Sequence, residues 1–524
     1  MVTPTLHPFG EAAVLAEVGS LEAVLDLHRR LTASRPPGVV DVVPAARTVL
    51  VRVDPRVLMV GAARAWISAA AEAERGTDAV APPPEVEVPI RYDGADLAGV
   101  AAAIGLAPEQ LAARHADALW NVAFTGFAPG FGYLVSEDWP FDVPRLATPR
   151  TRVPAGAVGL AAEFSGAYPR ETPGGWQLIG TTSATLFDPD AAQPALLSPG
   201  ARVRFRRMRE QLSTAGPAAP RTAVPPQPAV PPRPTAATPA VRIVEPGLRA
   251  TVQDQGRPGH ASEGVSPSGA ADRAALRTAL RLVGTDEGAA GIEVTMGGLR
   301  AVALTDLWFA VAGAWGPIRI DGRDVDPYAA QRWPAGAELH LDLFARGVRA
   351  YVAIRGGLEA PRAVGSRSTD TLAGLGPAPL RTGDELALAT DAVAPVPPAD
   401  VLPWGPPDDD VIEVEVAPGP RADWFDEASR TALFTTVWSV SGDADRVGIR
   451  LDGPVLQRTR PGELPSEGML PGAIQVPPSG RPVILGPDGP VTGGYPVVAV
   501  VTDATRDRLA QARPGTRVRF RHAR

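Results

Sequence analysis

The chain has 524 residues, more than a single hydrophobic core supports, so we expect three or four domains. Its net charge of -7 argues against nucleic acid or an anionic membrane as the main partner. The sequence has no cysteine and no lysine. This excludes thiol chemistry, disulfides, Schiff-base catalysis, a P-loop lysine and a biotinylated lysine on this chain.

The sequence also shows no targeting segment and no metal-binding motif. No apolar run approaches the roughly 20 residues that span a bilayer, and the first residues lack the basic-then-apolar pattern of a signal peptide. The six histidines are dispersed, so the sequence predicts no clustered metal site. We therefore expect a cytoplasmic protein without a metal centre.

Residues 1–84 are predicted to form a small α+β unit. Apolar alternation predicts a strand from Ala12 to Val18 and a strand pair from Val39 to Val53. Helical spacing of apolar residues predicts helices from Leu21 to Leu31 and from Met59 to Glu74.

Residues 85–210 are predicted to form a β-barrel. Strand-like alternation begins at Glu85, and two short helices follow, from Leu97 to Ile104 and from Pro108 to Leu119. Residues 211–240 then form a Pro/Ala-rich stretch without aromatic residues. Such a stretch cannot bury enough apolar surface to fold, so we interpret it as a linker between two formerly separate subunits.

The second half is predicted to contain two further β units. They occupy residues 241–392 and 411–524, and the Pro-rich residues 393–410 connect them. One helix is expected in this half, from Asp272 to Val283.

Three short blocks of the first half return in the same order at the end of the chain. The pairs are Val153–Val158 with Leu470–Gln475, Pro173–Trp176 with Thr492–Tyr495, and Pro199–Arg206 with Pro514–Arg521. Such self-similarity indicates one supersecondary unit used at least twice. Because the blocks combine Gly and Pro with alternating apolar residues, they predict duplicated β-barrels with function in the loops at their mouths.

Longer motifs give a family resemblance. The first half resembles the KipI family, also called the B subunit of 5-oxoprolinase or allophanate hydrolase subunit 1, through Phe124–Leu134, Ala147–Gly156 and Pro173–Gly180. The second half resembles the KipA family, the C subunit of 5-oxoprolinase or allophanate hydrolase subunit 2. The matching segments are Thr251–Arg257, Gly264–Asp272, Val364–Thr369, Asp445–Leu451, Pro471–Pro477 and Thr492–Pro496.

The resemblance implies a mainly β fold with an α+β N-terminal unit and tandem cyclophilin-like β-barrels. It implies ATP-dependent opening of 5-oxoproline to L-glutamate, with ATP as co-substrate together with Mg. The partner it implies is the LamB/YcsF-type A subunit of 5-oxoprolinase. Two alternatives stay open: a carboxyltransferase component acting on urea-like amides with a separate biotin carrier, and a non-enzymatic regulator of a histidine kinase.

Candidate binding residues in the first half lie in three motifs. Arg150 and Arg152 alternate on a strand and would clamp a carboxylate or phosphate, or form ion pairs on a solvated face. A stiff loop presents aromatic rings, as a substrate wall or as a structural barrel corner. Glycines beside a tryptophan allow close backbone approach. The residues of the loop and the glycine motif are Phe127, Pro129, Gly130, Tyr133, Gly174, Gly175 and Trp176.

Candidate residues in the second half are mainly charged or precede turns. Those predicted to be catalytic are Asp254, Arg257, Asp272, Arg446 and Glu467. Those predicted to bind substrate or ATP are Gln253, Ser268, Gly269, Glu293, Arg367, Arg450, Gln475, Asp488, Thr492, Gly493, Gly494 and Tyr495. Asp272 would alternatively cap its helix, and Glu293 would alternatively face solvent.

The chain departs from the family pattern at one position. The family commonly has Arg directly after the Leu-Ile-Gly of Leu178–Gly180, whereas this chain has Thr181. If that Arg contacts substrate, the substitution would alter substrate binding.

Overall fold

The computed structural model describes residues 3–73, 84–208, 238–397, 405–407, 410–460, 462 and 464–523. The predicted linker therefore lies outside the described residues as far as residue 237, and so does half of the predicted connector, residues 398–404 and 408–409. The described part is mainly β, as expected, with an α+β unit at its N-terminal end. The domain boundaries given above stay a prediction.

The N-terminal unit is a four-stranded antiparallel sheet of order β1-β2-β4-β3 with two helices. Its elements are β1 (Thr5–Pro8), β2 (Ala13–Glu17), α1 (Leu21–Ala33), β3 (Val39–Pro44), β4 (Thr48–Val53) and α2 (Val60–Glu72). Helix α1 begins where the Ser20 hydroxyl accepts a hydrogen bond from the Ala23 N–H, which satisfies a free donor of the first turn. The predicted strands and helices of this unit are confirmed to within a few residues.

Strand β2 is apolar on both faces, and both faces are covered. Val14 and Ala16 pack against the two helices of the unit. Ala13 and Leu15 pack on the opposite face, against residues of the C-terminal barrel such as Val500. Uninterrupted apolar strands are typical of sheets buried on both sides. The N-terminal sheet is therefore the layer on which the two ends of the chain meet.

The first barrel is a seven-stranded sheet of order β12-β9-β10-β7-β6-β13-β5. The bridge between Arg91 and Thr181 joins its first and last strands, so the barrel is nearly closed. Its elements are β5 (Glu85–Ile90), α3 (Leu97–Ala103), α4 (Pro108–Asp117), β6 (Trp120–Thr125), β7 (Gly132–Val135), β8 (Arg150–Val153), β9 (Ala157–Ala161), β10 (Phe164–Ala167), β11 (Thr172–Gly174), β12 (Gln177–Thr181) and β13 (Arg202–Arg207). Strands β8 and β11 form a separate pair.

The middle unit consists of a seven-stranded and a five-stranded sheet around one apolar core. The sheet orders are β20-β19-β22-β17-β14-β25-β24 and β15-β16-β23-β18-β21. The elements are β14 (Pro239–Pro246), β15 (Arg249–Gln253), α5 (Arg273–Leu282), β16 (Gly291–Thr295), β17 (Leu299–Ala303), β18 (Leu307–Trp315), β19 (Ile318–Ile320), β20 (Arg323–Asp324), β21 (Gln331–Trp333), β22 (Glu338–Leu341), β23 (Arg346–Ile354), β24 (Leu358–Glu359) and β25 (Glu385–Leu388). Helix α5 confirms the helix predicted from Asp272 to Val283, whereas the sequence did not predict two further helices of this half, Glu427–Thr435 and Asp503–Leu509.

The last barrel is closed, with order β26-β33-β30-β31-β28-β27-β34. Its elements are β26 (Val411–Pro418), α6 (Glu427–Thr435), β27 (Trp438–Val440), β28 (Gly448–Asp452), β29 (Glu467–Gly468), β30 (Ala473–Gln475), β31 (Val483–Leu485), β32 (Thr492–Gly493), β33 (Val497–Val501), α7 (Asp503–Leu509) and β34 (Arg517–His522). Strands β29 and β32 pair outside the barrel.

The two barrels share their topology, which supports the interpretation of the sequence repeat. In each, the first strand pairs parallel with the last: β5 with β13, and β26 with β34. In each, a buried Trp at the start of a strand donates from Nε1 to a carbonyl five residues earlier. Trp120 bonds His115, at 3.0 Å, and Trp438 bonds Leu433, at 3.1 Å. The described part of the chain contains no helix long and apolar enough to cross a bilayer.

Candidate functional site

An aromatic cleft lies between the N-terminal unit, the first barrel and the last barrel. Its volume is about 970 Å³. We define it by Phe124, Phe127, Tyr133, Phe164, Thr492 and Tyr495, which line it together with the backbone of Gly493 and Gly494. Six of the predicted binding residues thus meet here from distant parts of the chain. They are Phe127, Tyr133, Thr492, Gly493, Gly494 and Tyr495.

The loop after β6 is held against the last barrel. Gly126 has no room for a side chain, because a Cβ there would lie 2.0 Å from Thr492 Oγ1. The N–H of Phe127 donates to the same oxygen at 3.3 Å. Phe127 has a positive φ of 66° and is 45% exposed. Non-glycine residues adopt this conformation only where surrounding contacts fix it, so the loop holds an exposed ring in a defined place.

The second half also fixes the remainder of this loop. The N–H of Gly130 donates to the Glu263 carbonyl at 2.9 Å, and the Thr125 hydroxyl donates to the Ser262 carbonyl. Pro129 stands beside Gly130, and neither lines the cleft. Both therefore position the loop, while Phe127 and Tyr133 face the open space.

The ring walls favour a flat ligand. Phe124 and Tyr133 stack with centroids 4.3 Å apart, and Phe164 meets Tyr133 edge-on at 5.6 Å. Burial raises the pKa of Tyr133 to about 12, so its phenol stays neutral and can donate a hydrogen bond at neutral pH. Aromatic rings with one polar tip combine apolar contact with orientation of a bound molecule.

Two arginines line the cleft without using their charge elsewhere. Arg47 lies in the turn between β3 and β4, and Arg145 lies in the loop after β7. Neither side chain forms an ion pair or hydrogen bond with another residue that the structure describes. The sequence analysis missed both, because single exposed arginines in loops carry no spacing signal that connects them with Phe127. Free guanidinium groups are suited to a carboxylate ligand.

The other predicted residues of the first half lie away from this cleft. Arg150 binds both oxygens of Asp96, at 2.7 and 2.9 Å, and Asp96 also accepts from the Leu178 N–H. Arg152 is 75% exposed and pairs with Glu171 at 2.6 Å. The structure therefore pairs each of the two arginines with a different acid. Ion pairing, the second interpretation of this motif, is what the structure displays.

The glycine motif that follows is a packing feature. A Cβ on Gly174 would lie 2.5 Å from the Tyr168 hydroxyl, and Trp176 is buried against Phe131. Gly175 lies beside Pro149. The motif thus shapes the barrel behind the cleft instead of its lining.

Thr181 lies at the seam of the first barrel. Its hydroxyl donates to Asp93 at 2.9 Å, and its backbone bridges to Arg91. The residue does not line the cleft. The position at which the chain departs from the family pattern therefore lies at the seam of the barrel and not in the lining of the cleft.

A buried ionic network joins the middle unit to the last barrel. Arg446 donates from Nη1 to Glu293, at 2.8 Å, and from Nε and Nη2 to Asp488, at 2.9 and 2.8 Å. Its Nη2 also donates to the Gly269 carbonyl at 2.6 Å. All three ionic side chains are at most 3% exposed. Four of the predicted residues are thereby brought together.

The electrostatics of the network keep it ionised. Burial opposes charge on Arg446, but attraction by Asp488 and Glu293 outweighs it and raises the arginine pKa. Burial likewise acts to raise the pKa of Glu293, and Arg446 and Arg349 reverse this, so that its pKa is lowered. The pKa of Asp488 is lowered by Arg446 against the same effect of burial. A buried cation between two buried anions is stable only while every member is present.

Hydroxyl-rich loops of the middle unit surround this network. Ser268 donates to Asp488 at 2.8 Å and holds a positive φ of 50°. Asp254 accepts from the hydroxyls of Ser366 and Ser368, at 2.7 and 2.6 Å. Predicted residues with structural partners in the same loops are Gln253, which donates to the Thr369 carbonyl, and Arg367, which pairs with Glu359 and Asp391.

Two predicted catalytic acids have distinct environments. Asp272 caps α5 by accepting from the Ala275 N–H at 2.9 Å, and Gln511 donates to its other oxygen. Burial raises its pKa to about 6. Glu467 pairs with Arg421, whose Nε lies 2.9 Å away, yet burial raises the Glu467 pKa. The second Glu467 oxygen has no hydrogen-bond partner among the described residues.

Two further predicted residues lie outside the aromatic cleft and the buried ionic network. Arg450 is exposed and donates to the Asp443 carbonyl at 3.0 Å. Gln475 lies in β30, within the last barrel. Within the described residues no group of three or more acidic or histidine side chains could hold a metal ion.

Comparison with known proteins shows the relationship of each half. Residues 4–197 match the family model "Carboxyltransferase domain, subdomain C and D", and residues 263–522 match "Carboxyltransferase domain, subdomain A and B". The chain is 38% identical to the C subunit of 5-oxoprolinase from Escherichia coli K12 over 287 residues, which cover 53% of this chain and 90% of that protein. It is 49% identical to the B subunit of 5-oxoprolinase from E. coli O157:H7 over 128 residues, which cover 24% of this chain and 59% of that protein.

The resemblance to solved structures extends over the whole chain. The crystal structure of TTHA0988 superimposes with a TM-score of 0.80 at 36% identity, covering 99% of this chain and all of that one. Both halves of the present chain, in their present order, therefore have a counterpart in one polypeptide of known structure. The chain belongs to the carboxyltransferase-domain family that includes the B and C subunits of 5-oxoprolinase, as a fused protein of the KipI/KipA type.

Proposed function

We propose that the chain is the fused B and C component of an ATP-dependent 5-oxoprolinase. It would act with the LamB/YcsF-type A subunit of that enzyme to convert 5-oxoproline into L-glutamate. The observation that carries the proposal is the aromatic cleft, because its walls come from both halves and it contains two arginines with unused charge. Relatives of the two halves are the two corresponding subunits of one enzyme.

The chemistry of the cleft fits this substrate. 5-Oxoproline is a small, nearly flat lactam ring that carries one carboxylate. The carboxylate would pair with Arg47 and Arg145, and the ring would lie against Phe127 and Tyr133. The Tyr133 phenol would donate to the lactam oxygen, since its raised pKa keeps the proton in place.

The reaction would proceed by activation of the lactam oxygen. That oxygen attacks the γ-phosphorus of ATP, the bond to ADP breaks, and a phosphorylated cyclic imidate forms. Water then adds to the activated carbon and the ring C–N bond opens, which leaves the acyl phosphate of the side-chain carboxyl group of glutamate. A second water hydrolyses this acyl phosphate, so one ATP and two waters give glutamate, ADP and phosphate. The LamB/YcsF-type partner would supply the hydrolytic groups. Glu467 is our candidate for proton transfer on this chain, because its pKa is raised and one of its oxygens has no partner among the described residues.

The test is ATP-dependent release of glutamate from 5-oxoproline by the purified chain, with and without the LamB/YcsF-type partner from the same genome. We expect activity in the mixture only. Arg145→Gln should raise the KM for 5-oxoproline by about one to two orders of magnitude, since a charge-assisted hydrogen bond contributes about 1.5–3 kcal/mol. Arg206→Gln is the matched control, because Arg206 is an exposed arginine on the outer face of the first barrel. Absence of activity in a mixture whose proteins are folded and bound would contradict the proposal.

A further inference from the structure

A second cavity, distinct from the aromatic cleft, lies where the N-terminal unit, the middle unit and the last barrel meet. Its volume is about 220 Å³, several times the ~30 Å³ that one molecule of liquid water occupies. Six arginines line it, and we call it the arginine cavity: Arg52, Arg273, Arg277, Arg349, Arg446 and Arg506. They come from strands β4 and β23, from helices α5 and α7, and from the loop before β28.

The acids that pair with these arginines lie behind the wall. Arg273 is held by Asp503 at 2.9 Å and by Asp507 at 3.1 Å, and neither acid lines the cavity. One acid, Asp445, does line it, but its carboxylate accepts from backbone N–H groups of its own turn. Arg277 has no ion pair or side-chain hydrogen bond with any other described residue. The charged side chains that line the cavity are therefore mainly cationic.

Part of the hydrogen-bonding capacity of these arginines is not satisfied within the described residues. Arg349 is 7% exposed, yet its Nε makes no hydrogen bond, and the nearest carboxylate oxygen, on Glu293, is 3.6 Å away. Burial, and then repulsion by Arg273, lower the pKa of Arg506 to about 10. A buried donor without an acceptor costs free energy, and an anion in the cavity would supply acceptors.

A smaller adjoining cavity extends the cationic lining. It shares Arg52 with the arginine cavity and also contains Arg257. Arg257 is 3% exposed, and its Nε and Nη1 have no hydrogen-bond partner among the described residues. Pro490 lines both this smaller cavity and the aromatic cleft. The smaller cavity therefore shares lining residues with both of the others.

We propose that the arginine cavity binds the phosphate groups of ATP. Phosphate oxygens are the acceptors that several convergent guanidinium groups match best, since each group donates two parallel hydrogen bonds. A polyphosphate offers more acceptor oxygens than a single carboxylate does, which suits a lining that includes Arg277, without a described partner, and the unsatisfied Nε of Arg349. The chain has no lysine, so arginine is the one side chain with a permanent positive charge that is available for this recognition. The identification of the anion as ATP rests on the proposed function.

The experiment measures binding to the full chain without substrate, by isothermal titration calorimetry. The ligands are ATP, pyrophosphate, inorganic phosphate and acetate, each at low and high salt. We expect ATP and pyrophosphate to bind most tightly and to weaken with salt. In Arg277→Gln the affinity for pyrophosphate should fall about tenfold. This variant leaves no carboxylate unpaired, so an unchanged melting temperature should accompany the loss.

Arg323→Gln is the control, because Arg323 is exposed in the β19–β20 hairpin, which does not line the cavity. Undetectable binding of pyrophosphate, or equal affinity in Arg277→Gln, would overturn the inference. Acetate binding as tightly as pyrophosphate would also overturn it, in favour of a carboxylate site. Binding of ATP to the chain, together with no turnover of 5-oxoproline in the mixture with the folded and bound partner, would support this inference while contradicting the proposed function, so the two failures are distinguishable.

Discussion

The first and the last barrel have the same strand topology, but different chemistry at their cores and mouths. The first contains a largely buried, uncharged network of side chains, in which 2.8 Å hydrogen bonds link Tyr92 to His115 and His115 to Ser165. The last contributes Arg446 and Asp488 from its loops to a buried ionic network. The barrel is thus a scaffold, and the loops and inserted side chains determine which ligand chemistry each copy supports.

The difference extends to how each barrel contacts the rest of the chain. The first barrel meets the last through the loop after β6, in which Gly126 touches Thr492. The last barrel meets the middle unit through charged side chains and the N-terminal unit through an apolar layer. A fused chain keeps these contacts in fixed stoichiometry, and the aromatic cleft depends on them.

The largest effect is expected from breaking the ionic network. Arg446→Ala leaves Glu293 and Asp488 as buried, uncompensated anions, so the free energy of unfolding should fall by about 3–5 kcal/mol. Chemical denaturation measures this. Arg450→Ala, an exposed arginine of the same barrel, should change stability by less than about 0.5 kcal/mol. Equal effects of the two variants would show that the network does not hold the units together.

The contact between the barrels gives the next largest effect. Gly126→Ala places a methyl group against Thr492 and should cost about 1–3 kcal/mol, again measured by denaturation. Part of this should return in the double variant Gly126→Ala/Thr492→Ala, because the closest contact is the Thr492 hydroxyl. Gly99→Ala is the matched control. Gly99 lies in α3 with open space around it, so that variant should be neutral or gain up to about 1 kcal/mol.

Lowering the pH should destabilise the first barrel, because the buried His115 in its core is uncharged. Burial lowers the pKa of His115 from 6.5 to about 3, so below pH 6.5 the unfolded state binds a proton that the folded state does not. Stability should therefore fall with decreasing pH, by about 1.4 kcal/mol per unit between about pH 6 and pH 4. His28 acts in the same direction, with a pKa lowered to about 4. The difference between the wild type and His115→Gln isolates His115, and parallel profiles would refute this account.

The smallest effect is expected from substituting the two arginines of β8, Arg150 and Arg152, one at a time. Arg150→Ala should lower the free energy of unfolding, measured by thermal or chemical denaturation, by about 1–2 kcal/mol. The reason is that Arg150 binds Asp96, and Asp96 also accepts a hydrogen bond from the Leu178 N–H. Arg152→Ala should cost less than about 0.5 kcal/mol, since its pair with Glu171 is exposed. If Arg152→Ala instead lowered activity without a change in stability, a binding role for Arg152 would be restored.

Much of the fold followed from local patterns. Alternation located strands such as β5 and β26, apolar spacing located α1 and α5 to within a few residues, and the repeated blocks indicated the two related barrels. These features depend on residues close in sequence, so they can be read without the fold. Sequence motifs likewise predict that Phe127, Tyr133 and Thr492–Tyr495 bind a ligand.

Tertiary structure alone decided which residues meet. No local pattern shows that Phe127 and Thr492 share a cleft, that Arg47 and Arg145 face it with unused charge, or that six arginines converge in one cavity. It also decided that Arg150 binds Asp96, because the direction of a side chain depends on which element packs opposite. The sequence determines periodicity and backbone preference locally, whereas a binding site depends on contacts between distant segments that exist only in the folded chain.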